Sequence, residues 1–316
     1  MRMVVGLDGS DASLIALELV TRTTWPINTS IRLVGAYELG TEWTGLTPGM
    51  SGAGSDAESQ RKLFDVVQAL ADPLRRRGYA TETAIARGRA ADVLLAEADD
   101  LSADLIVVGS RGHGEAASAL LGSVSAALVD HAACPVLVAR EPGVSRILVA
   151  TDGSQSAEAI PAVLAAWHVF RDAPIDVLSV APPVGPGEAI LLPGMLLPGM
   201  LGGEQRPRDA SHEVGRHRVM ADDMAGRLTA AGWRAKSAVR NGEAAHEIES
   251  AATEWGADLI ITGSRGLSGL RRLLMGSVAH HVLLHSRCSV LVMRGHVPAR
   301  QQRPSQVPAT ARGLPL

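Results

Sequence analysis

Apolar and polar positions alternate along this chain in two distinct rhythms. Short apolar runs of strand length, MVVGL (3–7), IRLVGAY (31–37), LIVVG (105–109) and PVLVA (135–139), lack any helical period. Between them lie longer amphipathic segments. Residues 10–21 open on Ser10-Asp11, residue types that favour a helix N-cap, and carry Leu14, Leu17 and Val20 on one helical face. Residues 57–77, 90–100 and 123–132 read the same way. Near-continuous apolar strands separated by helices predict a parallel sheet buried on both faces.

This pattern occurs twice. ADLIVVGSRG (103–112) returns as ADLIITGSRG (257–266), GSV (122–124) as GSV (276–278), and His131, Cys134 and VLV (136–138) as His285, Cys288 and VLV (290–292), all offset by 154. Nearer the start of each half LDGS (7–10) matches TDGS (151–154) and Ile31 matches Ile175, offset by 144. The second half therefore holds about ten extra residues, and the tandem LLPGM–LLPGM at 191–200 marks where they entered. The expected architecture is α/β: two tandem, doubly wound, five-stranded parallel-sheet units, residues 1–142 and 143–297, Rossmann-like and similar to the adenine nucleotide alpha hydrolase fold. Residues 38–55, rich in Gly, Thr, Ser and Pro, and residues 181–210, rich in Pro and Gly, read as long loops. Residues 298–316, with four prolines and no acidic side chain, read as a disordered tail.

Composition narrows the function. Of 316 residues 46% are hydrophobic and 20% charged, the net charge is −3, and the aromatics are five Trp, two Tyr and two Phe. Such a chain buries a core but lacks the basic field and stacking platforms of a nucleic-acid binder. No apolar run is long enough for a membrane helix, and the first residues turn polar at Asp8, too soon for a signal peptide, so the expected location is the cytoplasm. Cys134 and Cys288 stand in no metal-ligand spacing and read as small buried hydrophobes. His281 and His285 have i, i+4 spacing, but a helix surface explains them better than a metal.

The motif that points to chemistry is G-x2-G-x9-G-S after the fourth strand of each half: Gly109, Gly112, Gly122 and Ser123, then Gly263, Gly266, Gly276 and Ser277. Glycines at the carboxyl end of a parallel strand let backbone approach a ligand. Gly-Ser then opens a helix whose free N–H groups and positive dipole end attract anions. The plainer alternative is that these are turn glycines and serine N-caps. No GxxxxGK[ST] occurs, so a P-loop is absent, and no GxGxxG follows a strand.

On this motif and the leading VGLDGS and VATDGS, both halves resemble the universal stress protein family, in the form that binds ATP. The resemblance covers residues 1–294 apart from the loop insertion. It implies that Asp8 and Asp152 hydrogen-bond the adenosine and that Ala36 and Val180 line the adenine. Backbone contacts fall on Val108, Gly109 and Gly112, and on Thr262, Gly263 and Gly266. The phosphate-binding helix start falls on Gly122, Ser123 and Val124, and on Gly276, Ser277 and Val278. The implied ligand is ATP, with or without Mg2+, and the implied role is a nucleotide-dependent sensor or regulator in stress or growth arrest. Pairing through the last strand of each half is implied within the chain, with a homodimer beyond it.

Phosphoryl transfer needs a metal clamp and a group that positions the nucleophile. Beyond the two Asp the motif supplies neither, so slow ATP hydrolysis at most is expected. An ATP-hydrolysing or adenylylating enzyme of the same fold, and a nucleotide-independent scaffold that holds a protein partner through its PGM loops, are the alternatives. The second glycine loop carries Arg271 and Arg272 where the first carries Glu115, which predicts that the second site binds ATP at least as tightly. Arg111 and Arg265 stand inside GSRG in both.

Overall fold

The computed structural model describes residues 1–37, 56–112, 121–183, 210–264 and 275–294. In the first half β1 (Arg2–Leu7), α1 (Asp11–Arg22), β2 (Ser30–Tyr37), α2 (Asp56–Arg76), β3 (Ala80–Arg87), α3 (Ala90–Leu101), β4 (Leu105–Gly109), α4 (Ser123–His131) and β5 (Val136–Ala139) alternate as the hydrophobic rhythm predicts. The second half repeats them as β6 (Ile147–Ala150), α5 (Gln155–Glu158), α6 (Ile160–Trp167), β7 (Ile175–Ala181), α7 (Ala210–Ala230), β8 (Ala235–Asn241), α8 (Ala244–Trp255), β9 (Leu259–Gly263), α9 (Ser277–His285) and β10 (Ser289–Met293).

One departure from the repeat is local. Where the first half has one twelve-residue helix, α1, the second has two short ones, α5 and α6. Pro161 causes the break: proline has no N–H to give to the carbonyl four residues back, and its ring crowds that carbonyl. It is tolerated because it sits in the first turn of a new helix.

Within each half all strand pairs are parallel, in the order β3-β2-β1-β4-β5 and β8-β7-β6-β9-β10. The halves join through one antiparallel pair, β5 with β10, in the register Val138–Val290, Leu137–Leu291 and Val136–Val292, giving a ten-stranded sheet. Successive residues of a strand face opposite ways, so one set packs under α1, α2, α6 and α7 and the other under α3, α4, α8 and α9. Met3, Val5 and Leu7 lie on the first face, and Val4 with Ile106 and Val108 on the second.

The junction is tied by side chains as well as strands. Arg140, just past β5, donates to the carbonyls of Leu283 (2.5 Å) and Cys288 (3.2 Å). Its counterpart Arg294, just past β10, donates to the carbonyl of Val129. Each arginine thus caps the last turn of the other half's final helix, where carbonyls lack partners and the dipole is negative.

α2 and α7 are both 21 residues long and offset by 154, while Tyr37 and Ala181, which end β2 and β7, are offset by 144. The ten extra residues therefore lie between Ala181 and Ala210. The LLPGM duplication falls there, outside the described residues, as do the 38–55 loop, the 298–316 tail, Glu115, Arg265, Gly266, Arg271 and Arg272.

Candidate functional site

In each half the chain runs from β1 or β6 toward one sheet edge and returns through β4 or β9 on the other side, so a crevice opens between the carboxyl ends of those two strands. Ligands of open α/β sheets bind at such a reversal. In the first half this crevice is a cavity of about 1120 Å3, lined among others by Asp8, Ala36, Val108, Gly109, Gly112, Gly122, Ser123 and Val124. The second crevice, about 300 Å3 as bounded by described residues, is lined by Asp152, Val180, Thr262, Gly263, Gly276, Ser277 and Val278. Every described residue that the motif and the resemblance single out borders one of these two cavities.

Asp8 follows the first strand in a turn that fixes its carboxylate. The Ser10 N–H and hydroxyl both donate to Oδ1, at 3.0 and 2.6 Å. Ser10 also caps α1 by accepting from the Ser13 N–H at 3.2 Å. Oδ2 faces the other wall: a methyl group at Gly112 would lie 2.5 Å from it. Gly112 is thus glycine because the loop backbone comes down onto the Asp8 carboxylate. In the second half the Ser154 N–H donates to Asp152 Oδ1 at 2.9 Å.

The other glycines divide by role. A Cβ on Gly109 would meet the Ala12 carbonyl carbon at 2.4 Å and the Ser13 nitrogen at 2.7 Å, and one on Gly263 would meet Ser156 Oγ at 2.5 Å. These positions are glycine so that the first helix can pack over the end of the fourth strand. The Gly122 N–H donates to the Ser110 carbonyl at 2.7 Å and the Gly276 N–H to Ser264 at 2.8 Å, closing each glycine loop at its neck. Those two N–H groups are therefore spent within the protein.

What remains open is the first turn beyond them. Gly122 and Gly276 are the N-caps of α4 and α9, and neither makes a side-chain cap. Ser123 and Ser277 are exposed at the mouth. An uncapped helix start presents donors and a partial positive charge to an anion.

Several lining residues are absent from the motif. α3 contributes Ala90 and Leu94, and α8 the matching Ala244 and Ile248, giving each crevice an apolar wall beside Val34 or Leu178. The repeat carries their signal, an Ala followed four residues later by Leu or Ile. Arg140, Ser286 and Arg287 also border the first cavity, the last two from the second half. Burial brings the Arg140 pKa down to about 10, with the nearby Arg111 charge acting the same way.

Cys134 is buried and Cys288 half-buried, and both are free thiols. Burial pushes the Cys134 thiol up to about 12. His281 and His285 stack with ring centroids 4.3 Å apart, and His281 Nε2 lies 3.7 Å from Glu249 Oε1.

Comparison with known proteins agrees with this architecture. The model of the Universal stress protein family matches residues 1–140 and again residues 143–294. The chain is 28% identical over 318 residues to universal stress protein Rv2623 of Mycobacterium tuberculosis, covering 92% of this chain and 96% of that protein. It is 33% identical over 154 residues to universal stress protein YxiE of Bacillus subtilis, covering 48% of this chain and 99% of that protein. Among solved structures, a universal stress protein from Archaeoglobus fulgidus superposes with a TM-score of 0.62 at 19% identity, over 93% of this chain and 98% of that one, a likeness of fold. No helix among the described residues is long and apolar enough to cross a membrane.

Proposed function

The chain belongs to the universal stress protein family, as a tandem of two such units, and from that premise we propose that it is an ATP-binding regulator of stress response or growth arrest. Each half holds one nucleotide across the carboxyl ends of its strands. The observation that carries this reading is the convergence, within one cavity, of a fixed carboxylate and an uncapped helix start. Asp8 Oδ1 is held by Ser10 while Oδ2 faces the Gly112 wall, an arrangement suited to accepting hydrogen bonds from a ribose. Val34, Ala36 and Leu94 offer an apolar wall suited to a base, and the start of α4 offers donors suited to phosphates. The second half supplies the same set through Asp152, Leu178, Val180, Ile248 and the start of α9. ATP turnover is slow at most, and signalling acts through occupancy, in a homodimer or with a protein partner.

A thermal-shift titration with ATP, ADP and AMP tests the reading, on the wild-type chain and on Gly122→Asp and Gly276→Asp variants. Ligand at 100 times Kd stabilises by about 2.7 kcal/mol, which moves the midpoint by roughly 5–10 °C. Each variant puts a carboxylate at a helix start that should attract phosphate, and should lose its share of the shift. No shift with any nucleotide, on protein shown to carry none from purification, refutes the reading and favours a scaffold.

A further inference from the structure

We propose that the first nucleotide pocket is composite: Arg287, from the second half, supplies a cation to the phosphates bound in the first. The inference rests on the nucleotide reading above and adds a residue to it. β5 and β10 run antiparallel, with Val138 opposite Val290. The carboxyl end of β5, where the first pocket opens, therefore lies beside the amino end of β10. The turn leading from α9 into β10 is carried onto the rim of the first pocket, and Ser286 and Arg287 border its cavity.

That turn is held in place by the first half. The Arg140 guanidinium donates to the carbonyl of Cys288, adjacent to Arg287, and to that of Leu283 in the last turn of α9. The Ser289 hydroxyl accepts from the backbone N–H groups of Arg140 and Glu141, at 3.1 and 3.2 Å. Arg287 itself is exposed on this anchored turn, and Arg111 is also exposed on the cavity wall. Among the described residues, the acidic side chains bordering the same cavity are Asp8, turned toward the Gly112 wall, and Asp11. An exposed guanidinium at the rim suits a flexible polyphosphate better than a neutral nucleoside.

The repeat makes the device one-sided. The residue equivalent to Arg287 in the α4–β5 turn is Ala133, and no described residue of that turn borders the second cavity. Among the described residues that border the second cavity there is no arginine.

Calorimetric titration of the full chain tests this, with the second pocket closed to phosphates by Gly276→Asp, ATP as the probe of the first pocket and adenosine, which either pocket can take, as the phosphate-free reference. Adding Arg287→Ala should weaken ATP by about three- to tenfold and adenosine by less than twofold. The salt dependence of ATP binding should become shallower. Arg287→Lys should restore most of the ATP affinity, since it keeps the charge. The proposal is overturned if ATP affinity changes by less than twofold in Arg287→Ala, or if ATP and adenosine weaken equally, which would make Arg287 a structural residue of the turn. Binding of neither probe before Arg287 is touched would instead bring down the nucleotide reading, and this inference with it.

Discussion

Alanine at Gly109 places a methyl carbon 2.4 Å from the Ala12 carbonyl carbon, 2.5 Å from its oxygen and 2.7 Å from the Ser13 nitrogen. All three are backbone atoms in the first turn of α1, so no side chain can swing aside. Either α1 lifts from the end of β4 or β4 bends, and both disturb a buried seam in which Ser125 Oγ donates to the Gly109 carbonyl at 2.7 Å. Overpacking of a tight site costs about 1–3 kcal/mol, and a clash with backbone belongs at the upper end. At about 2–4 °C per kcal/mol, Gly109→Ala should melt roughly 6–12 °C below wild type. Gly112→Ala is the control: its methyl would press on Asp8 Oδ2, the tip of a side chain that can shift by rotating about the Oδ1 held by Ser10. That variant should melt within about 2 °C of wild type, and displacing the carboxylate should cost about tenfold in nucleotide affinity at the first pocket. The two are separated by differential scanning calorimetry and ATP titration. A Gly109→Ala protein as stable as wild type, or a Gly112→Ala protein that melts as low as Gly109→Ala, would show that the glycines have been assigned the wrong roles.

Two further outcomes follow from a buried histidine and a half-buried arginine. His217 on α7 is buried, its Nδ1 lies 2.8 Å from the Ser179 hydroxyl, and desolvation holds its pKa below the ordinary value, with Arg216 adding to this and Glu213 and Asp152 opposing it. A depressed folded-state pKa means the unfolded chain takes up the proton first, so stability is intact above about pH 6.5 and falls as the pH drops below it. Denaturation midpoints between pH 7 and pH 5 should therefore fall more steeply for wild type than for His217→Gln; parallel slopes would refute this. Arg140→Met removes the guanidinium from the carbonyls of Leu283 and Cys288 at the junction and should cost about 1–3 kcal/mol. Urea unfolding reads this as a lower midpoint or as separate transitions for the two halves, and an unchanged single transition would refute it.

The fold is legible in the sequence because its inner strands, such as β1, β4, β6 and β9, are buried on both faces. Runs such as LIVVG and IRLVGAY cannot be surface strands or helices of a soluble domain, and their repetition at fixed offsets reveals two units. The break of α1 into α5 and α6 lies in a single residue, Pro161 set against Leu17, and is visible only when the halves are aligned position by position. Other features depend on distance in space. Nothing local distinguishes Gly109, which is glycine for packing under α1, from Gly112, which is glycine because Asp8 approaches it; both read as ligand-facing turns. The same holds for the Gly122 and Gly276 N–H groups, which the motif offers to phosphate and the fold spends on Ser110 and Ser264.

The junction shows where sequence reasoning stops and how far the repeat extends it. A strand pairing cannot say which turn it carries to which rim; that requires the antiparallel register of Val138 with Val290. Given the register, the contrast between Arg287 and Ala133, each one residue before a cysteine shared by both halves, becomes a difference between two pockets. It opposes the sequence contrast in the glycine loops, where the first half has Glu115 and the second has Arg271 and Arg272. The loop charges predict tighter polyphosphate binding in the second half, whereas the proposed rim arginine favours it in the first. Charge at a wet rim is worth little for any single pair, so neither contribution swamps the other in advance. The ratio of ATP affinities in the Gly122→Asp and Gly276→Asp chains, measured with Arg287 present and then as alanine, separates them. The loop contribution stays when Arg287 is removed, and only the rim contribution goes.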